Sequence, residues 1–485
     1  RALQSGDINK AILLSKQVLD TQDNNQNNLQ EKNEVLYLLA VSQRTKGLIN
    51  EANETVKTLI AADPNHARAH QENGYLSLSE GNKSNAATAF AKATRLNPAL
   101  LSSWQKLAPL YHDLNHIEGQ KFATQRIEYL MQLPAEIRGA QDLMYEGKLG
   151  LADIICRRFL QKHKHNVEAM MLLAEVGMKL KLFHEAEFIL ESCVEIHPKH
   201  GAARAEFVKL LSKLGKFSQA KIQAEILLNE YPNNHQYLAA KASAMVGIGE
   251  VEEAINLYQQ IISKRDERPG IQLLLGHAYK ANGNIDQAIA AYQQAYKIRA
   301  DFGDAYWSLA NTKTYRFTDK ELVLMKAQLD RVEIDQDDKV HLEFALAKAY
   351  EDRKQFDTAF SYYKNGNALK NHSSHYSQAK MTEQVAAQKA VFNADFFSTH
   401  QDVGDQTTAP IFIVGLPRAG STLLEQILAS HSQVDGTMEL HNVMGLAARL
   451  SGSKNGYPNV VNDMDNEYFA RFGKQFIEDT RCYRQ

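Results

Sequence analysis

Cysteine is scarce in this 485-residue chain: Cys156, Cys193 and Cys482 are the three, and they lie far apart. An odd, sparse set excludes a disulfide scaffold and fits a reduced, intracellular protein, so a cytoplasmic location is expected. Long hydrophobic runs are missing too. No apolar stretch approaches the roughly 20 residues that cross a bilayer, and no membrane segment is expected in this chain. Charge of one sign is not in excess: 55 Lys and Arg face 57 Asp and Glu, for a net charge of −2. That balance excludes bulk attraction to nucleic acid or to an anionic membrane. The histidine pairs His163/His165, His197/His200 and His372/His375 lack metal-ligand spacing, and no metal is expected. The first residue is Arg, so an N-terminus further upstream is expected, with any targeting signal outside this sequence.

What is present is ordinary globular composition, 44% hydrophobic and 23% charged, over a length that suits two to four domains. It is organised by a repeat. A Gly followed five residues later by an Ala occurs as Gly47/Ala52, Gly81/Ala86, Gly147/Ala152, Gly215/Ala220, Gly249/Ala254 and Gly283/Ala288. Lys181/Ala186 fills the missing phase, Asn115/Gln120 keeps it without the small residues, and Gly6/Ala11 is a partial first copy. From 147 to 283 each step is 34 residues. Small residues recur twelve places before the Ala (Ala40, Gly74, Ala108, Ala174, Ala242, Gly276). Prolines recur twelve after it (Pro64, Pro98, Pro198, Pro232), and an aromatic four after it (Phe90, Tyr258, Tyr292).

Each unit therefore reads as two helices. The Gly occupies a turn that needs positive φ, the small residues permit close helix approach, the aromatic fills the gap, and the Pro ends the second helix. No unit buries its apolar face alone, so the units must stack. Period and pattern resemble the tetratricopeptide-repeat (TPR) family over residues 1–310. Trp104, Leu107, Ala108 and Tyr111 match its first-helix pattern, and Leu275, Gly276 and Tyr279 match part of it. After Ala310 the register breaks. Residues 311–340 read as charged and helical, and a last degenerate unit carries Ala347, Tyr350, Ala359, Tyr363 and Gly366-Asn367. The expected organisation is a TPR solenoid over 1–369, a linker helix and polar loop over 370–408, and a different domain over 409–485.

That last segment opens with Pro410-Ile411-Phe412-Ile413-Val414, which reads as a buried parallel strand. Gly415-Leu416-Pro417-Arg418-Ala419-Gly420-Ser421-Thr422 follows, and then Leu423, Leu424, Ile427 and Leu428 at helical spacing. Strand, glycine-bearing turn and helix aim backbone N–H groups and the positive helix end at an anion. A nucleotide triphosphate P-loop would need lysine at position 421, where Ser stands; the cation is Arg418.

The loop closely resembles the 5′-phosphosulfate-binding loop, P-R-S-G-T-T, of sulfotransferases that use 3′-phosphoadenosine 5′-phosphosulfate (PAPS). Ala419 and Ser421 depart from it, the second keeping a hydroxyl. The run Leu424 to His431 is similar to the bacterial TPR-sulfotransferase branch and, more distantly, to protein-tyrosine sulfotransferases. The implied fold class is mostly α, a TPR α-solenoid followed by the N-terminal part of an α/β P-loop-like sulfotransferase domain. The resemblance implies PAPS as sulfuryl donor. Its binding set would be Pro417, Arg418, Ala419, Gly420, Ser421 and Thr422, with Arg418 also stabilising the leaving oxygen. Glu439, 21 residues past Arg418, matches the family's catalytic base. Glu425 reads as a salt-bridging face residue and His431 as a structural hydrogen-bonder. A residue set for the cofactor's 3′-phosphate is not met before Gln485, so a truncated domain is expected, inactive and poorly folded beyond 409.

The expected activity is transfer of a sulfuryl group to an acceptor hydroxyl, with protein tyrosine favoured by resemblance. The repeats would recruit a protein or peptide acceptor on their concave face. The alternatives are a TPR interaction scaffold with an inactive tail, and a TPR glycosyltransferase, against which the Pro417–Thr422 loop counts.

Overall fold

The computed structural model describes residues 7–22, 29–264, 268–331, 334–373, 377–437, 440, 442–451 and 456–481. The chain divides into two compact units, 1–180 and 181–485. Both are built from helices, and no strand occurs among the described residues.

Helical hairpins make up the first unit and much of the second, and their turns follow the sequence period. All six full-repeat glycines have φ between +72° and +91°. Asn115 (φ 56°) and Lys181 (φ 63°) take the same left-handed turn without glycine. The chain geometry explains the requirement. After helix Ala67–Ser79, the Gly81 N–H donates to Leu78 O at 3.1 Å and the Asn82 N–H to Ser77 O at 2.9 Å, the paired bonds that close a helix end through a left-handed residue. A further left-handed residue, Lys354, precedes Ala359 by the same five places and joins helix Gln336–Asp352 to helix Phe356–Ser373.

Small and large residues interlock as the periodicity predicts. Phe90, Tyr258 and Tyr292 are among the largest fully buried side chains. A Cβ added to Gly276 would sit 2.4 Å from the Tyr292 ring, and one added to Gly74 would sit 2.8 Å from Phe90. Phe90 also joins Trp104 and Leu107 of the following hairpin in one core cluster, so the aromatic seals its own hairpin and the stack together. One periodic feature escaped the sequence reading. At three of the four turn prolines the residue six on donates back to the proline's carbonyl, as His70 to Pro64 (2.8 Å), Trp104 to Pro98 (3.0 Å) and Arg204 to Pro198 (3.0 Å).

In unit 1–180, helix Ala135–Tyr145 is tied to earlier hairpins by charge. Arg68 forks between Asp142, at 2.6 Å, and Glu146, while Asn97 donates to Asp142 at 2.7 Å. Burial pushes the Glu146 carboxyl up, but hydrogen bonds from Lys148 and Arg68 outweigh it and hold the group below its usual range. Asp142, where burial dominates, is held above its range despite Arg68. Burial also pushes the Cys156 thiol up to about 12, which keeps it protonated and unreactive.

In unit 181–485, residues 311–318 are irregular, against the expected continuous helix, and helix formation resumes at Asp319–Leu329. Thr318 and Glu321 form a capping box there. Glu321 is nearly buried because it also accepts hydroxyl bonds from Tyr296 (2.8 Å) and Tyr315 (2.5 Å). Gly366 and Asn367 lie inside helix Phe356–Ser373 and do not end it.

Beyond residue 377, helices Gln378–Val391 and Ala394–Thr399 pack on the C-terminal segment through aromatic rings. Phe392 meets Tyr457 at 6.1 Å, and Phe396 and His400 meet Phe469 at 6.2 and 5.4 Å. Helix Asn466–Asp479 lies near the end of the described residues. The strand expected at 410–414 does not form. Ile411, Phe412, Val414 and Leu416 are 60–89% exposed. A strand is stable only when its backbone pairs with a neighbour, and none is present among the described residues. Among the same residues, Val391 and Val461 are the buried hydrophobic side chains past 370.

Candidate functional site

The loop at 415–422 is built by backbone geometry. The Ala419 N–H donates to Leu416 O at 3.1 Å, closing a turn over Pro417 and Arg418. Arg418 sits at φ 69° and Gly420 at φ 91°. A left-handed conformation is strained for arginine, and such strain recurs where a loop is shaped around a ligand. Gly420 is then the N-cap of helix Ser421–Ala429, whose cap makes no side-chain hydrogen bond. Nothing lies within 4 Å of a Cβ placed on Gly420, so the approach to the helix end is open.

Ser421 and Thr422 are the first two helical residues, not caps. Their amides, like that of Leu423, point out of the helix end without an intrahelical partner. Pro417, Arg418, Ala419, Gly420, Ser421 and Thr422 are all exposed. One cation, two hydroxyl-bearing residues and the first-turn amides thus follow one another along the chain at an open helix N-terminus, and a helix N-terminus favours an anion. The Ala419 amide, one of the expected donors, is already committed to Leu416.

Glu439 lies outside the described residues, as does Met438. The chain leading to Glu439 is described, and it is held by two contacts. Glu425 accepts the Thr437 N–H at 3.0 Å, and a Cβ on Gly436 would sit 3.1 Å from Ala429 Cβ. Among the described residues Glu425, half-buried and expected to be a salt-bridging face residue, is a loop anchor through this bond. Its partner is a backbone amide twelve residues on, which leaves no signature in side-chain pattern. His431 does make a local hydrogen bond, its Nδ1 accepting the Gln433 N–H at 3.2 Å.

Residues that could hold a metal are not gathered anywhere among the described residues. His163 and His197 cap helix C-termini, and His200 caps an N-terminus by accepting the Ala203 N–H at 3.1 Å. No helix of the described residues is long and apolar enough to cross a membrane.

Comparison with known proteins finds two families along the chain. The sulfotransferase family matches residues 410–474. Tetratricopeptide repeats match 37–100, 177–244 and 249–311. The chain is thus of the TPR-sulfotransferase kind, with repeats followed by a sulfotransferase-family segment. Among curated proteins it is similar to an uncharacterized protein of Aquifex aeolicus, 23% identical over 317 residues, or 63% of this chain and 41% of that one. The chain thus matches about two fifths of the relative's length. Among solved structures, a tetratricopeptide repeat protein from Parabacteroides merdae is 15% identical with a TM-score of 0.36, covering 58% of this chain and 98% of that one. Human IFIT1, solved as a dimer with m7Gppp-AAAA, is 16% identical with a TM-score of 0.38, covering 79% and 86%.

Proposed function

We propose that the chain serves PAPS-dependent transfer of a sulfuryl group to an acceptor hydroxyl, favouring tyrosine on a protein or peptide that the repeats recruit on their concave face. The observation that carries the reading is the loop from Pro417 to Thr422. It sets a cation and two hydroxyl-bearing residues beside an open helix N-terminus, inside a segment matched by the sulfotransferase family. When bound, PAPS supplies the sulfuryl group on a phosphate leaving group.

The chain's own residues supply position and charge. Arg418 pairs with the phosphosulfate oxyanions and takes up charge on the leaving oxygen. Ser421 and Thr422 donate hydroxyl hydrogen bonds to the 5′-phosphate, and the amides of Gly420, Ser421 and Thr422 add the field of the helix end. Glu439 accepts the acceptor's hydroxyl proton, a contribution of roughly 10²–10⁴-fold in rate. The location proposed for this chemistry is the cytoplasm, in keeping with the sparse cysteines, of which Cys156 and Cys193 are buried.

The test is calorimetric titration with 3′-phosphoadenosine 5′-phosphate (PAP). Arg418→Ala is expected to weaken binding by at least about tenfold, the size of one charge-assisted hydrogen-bonded pair. Equal binding by both proteins would reject the site. A second reading, a TPR interaction scaffold with an inactive tail, is favoured by the exposed, unpaired run at 411–416. It predicts no PAP binding and no transfer from PAPS by the wild type.

A further inference from the structure

We propose that Arg68, Asp142 and Glu146 form a charge latch that holds unit 1–180 wound shut, and that its release opens the inner face of this unit to a partner while the helices stay folded. The proposal concerns the repeats alone and does not depend on the transfer reaction.

The first helices of successive hairpins lie side by side. Arg44 of helix Leu29–Thr45 pairs with Glu72 of helix Ala67–Ser79, and Gln71 of that helix donates to Ser103 of helix Leu101–Asp113 at 2.6 Å. Packed helices sit about 8–10 Å apart, so in a flat layer helix Ala135–Tyr145 would stand roughly 16–20 Å from helix Ala67–Ser79. Yet Arg68 reaches Asp142 at 2.6 Å and also Glu146, the C-cap of helix Ala135–Tyr145. Lys148 adds a reach of three hairpins, lying 2.8 Å from Glu146 and 3.7 Å from Glu34 of helix Leu29–Thr45. Such contacts form only where the layer curls toward itself, and they lie on the inside of the curl. Asn97, fully buried in the connection that leads to helix Leu101–Asp113, donates to Asp142 at 2.7 Å. The bridge therefore passes over the end of the helix that it skips.

The winding is prepared by the chain itself. Four residues join helix Ile49–Ala62 to Ala67–Ser79, Lys83–Leu96 to Leu101–Asp113, and Leu149–Lys162 to Val167–Lys179. Two, Leu133 and Pro134, join Ile117–Gln132 to Ala135–Tyr145, and the step from Asn115 to Gly147 is accordingly 32 residues. Arg138 donates to Leu130 O at 3.0 Å across this joint. The short joint draws helix Ala135–Tyr145 inward, and the charges hold it there. The hold is a balanced one. Burial keeps the Asp142 carboxyl above its ordinary range although Arg68 pulls it down, so lost hydration offsets part of the attraction. The side chains of Arg68, Asp142 and Glu146 remain 28%, 25% and 15% exposed, which leaves water a path to them when the bridge breaks.

The test is hydroxyl-radical labelling of the whole chain, read beside hydrogen exchange. Tyr37 is the reporter. It is half-buried next to Arg68, with its ring 5.8 Å from that of His66. Arg68→Ala removes the bridge, Arg68→Glu sets three carboxylates against one another, and Arg68→Lys keeps the charge without the fork. Labelling of Tyr37 is expected to rise about threefold in Arg68→Ala and further in Arg68→Glu, and to stay within about twofold of wild type in Arg68→Lys. Amide exchange within helices Ala67–Ser79 and Ala135–Tyr145 should stay within about twofold of wild type in all three. Labelling that follows side-chain size, highest in Arg68→Ala and equal in Arg68→Glu and Arg68→Lys, would show that Arg68 packs and does not latch. Unchanged labelling in every variant, or exchange accelerated throughout 29–180, would equally overturn the proposal, the second because the bridge would then be part of the fold and not a latch upon it.

Discussion

Glycine at three positions shows how differently one residue type is used. A Cβ on Gly276 would sit 2.4 Å from the Tyr292 ring, Gly283 holds φ +78° with open space around it, and Gly139 has open space and an ordinary helical backbone. Gly276→Ala should lower unfolding stability by about 1–3 kcal/mol through overpacking, and Gly283→Ala by about 1–2 kcal/mol through backbone strain. Gly139→Ala should raise it by about 0.5–1 kcal/mol. Urea denaturation of the three variants checks the order, and a destabilised Gly139→Ala would contradict it. The first two positions were legible because the period marks them. Gly139 lies off the period, and its freedom is known only from its surroundings.

Histidine supplies the pH dependence at this scale. Burial holds His66, His70 and His277 below the ordinary 6.5. Neutral His66 accepts the Ala69 N–H at 3.1 Å as a helix cap, a bond that protonation removes. A base with a depressed folded-state pKa binds protons more readily when unfolded. The stability it gives is therefore present above about pH 6.5 and lost as pH falls. Thermal melts should show a falling Tm from pH 7.5 to 5. His66→Asn, which keeps a capping oxygen without titrating, should show a smaller fall; an identical pH profile would remove His66 from the account.

At the level of elements, hairpin helices were readable because their determinants are local: a turn residue, a small residue and an aromatic at fixed offsets. The break after Ala310 was readable only as a loss of register. What fills it is a tertiary arrangement in which Glu321 collects the hydroxyls of Tyr296 and Tyr315 together with its own cap. Burial pushes that carboxyl up, but the hydrogen bonds from Tyr315, Thr318 and Tyr296 outweigh it and hold it below its ordinary value. Glu321→Ala leaves these donors without their acceptor and should cost roughly 1.5–3 kcal/mol, read from chemical denaturation. A loss confined to the few tenths expected of an exposed surface change would show that the tyrosines find other partners.

The apolar run at 410–414 failed as a strand for a related reason. Its composition is correct for a buried strand, but a strand is a pairwise object and a helix is not. Helix Ser421–Ala429 satisfies its interior backbone by itself and forms; the run before it has no strand to pair with among the described residues and stays largely exposed, touching helix Asn466–Asp479 through Phe412 and Phe476 at 5.6 Å.

Over the whole molecule, the contrast between well-buried hairpins and a thinly covered C-terminal segment sets an order of vulnerability. Limited trypsin digestion should cut after the exposed, left-handed Arg418 before it cuts at turn residues Lys46, Lys148 or Lys216 within the repeats, and PAP should slow that first cut. Early cleavage within the repeats instead would show that their stacking is the weaker part.

The sequence by itself determined the hairpins, their left-handed turns, the aromatic-on-glycine packing and the composition of the anion loop, because each depends on residues within one repeat or one turn. The tertiary structure alone decided that Arg68 binds Asp142 and Glu146, that the tyrosines converge on Glu321, and that Glu425 holds the Thr437 amide. Those contacts join residues 6 to 78 positions apart, and no local periodicity encodes which partner a charge or a backbone amide will meet once the helices have packed.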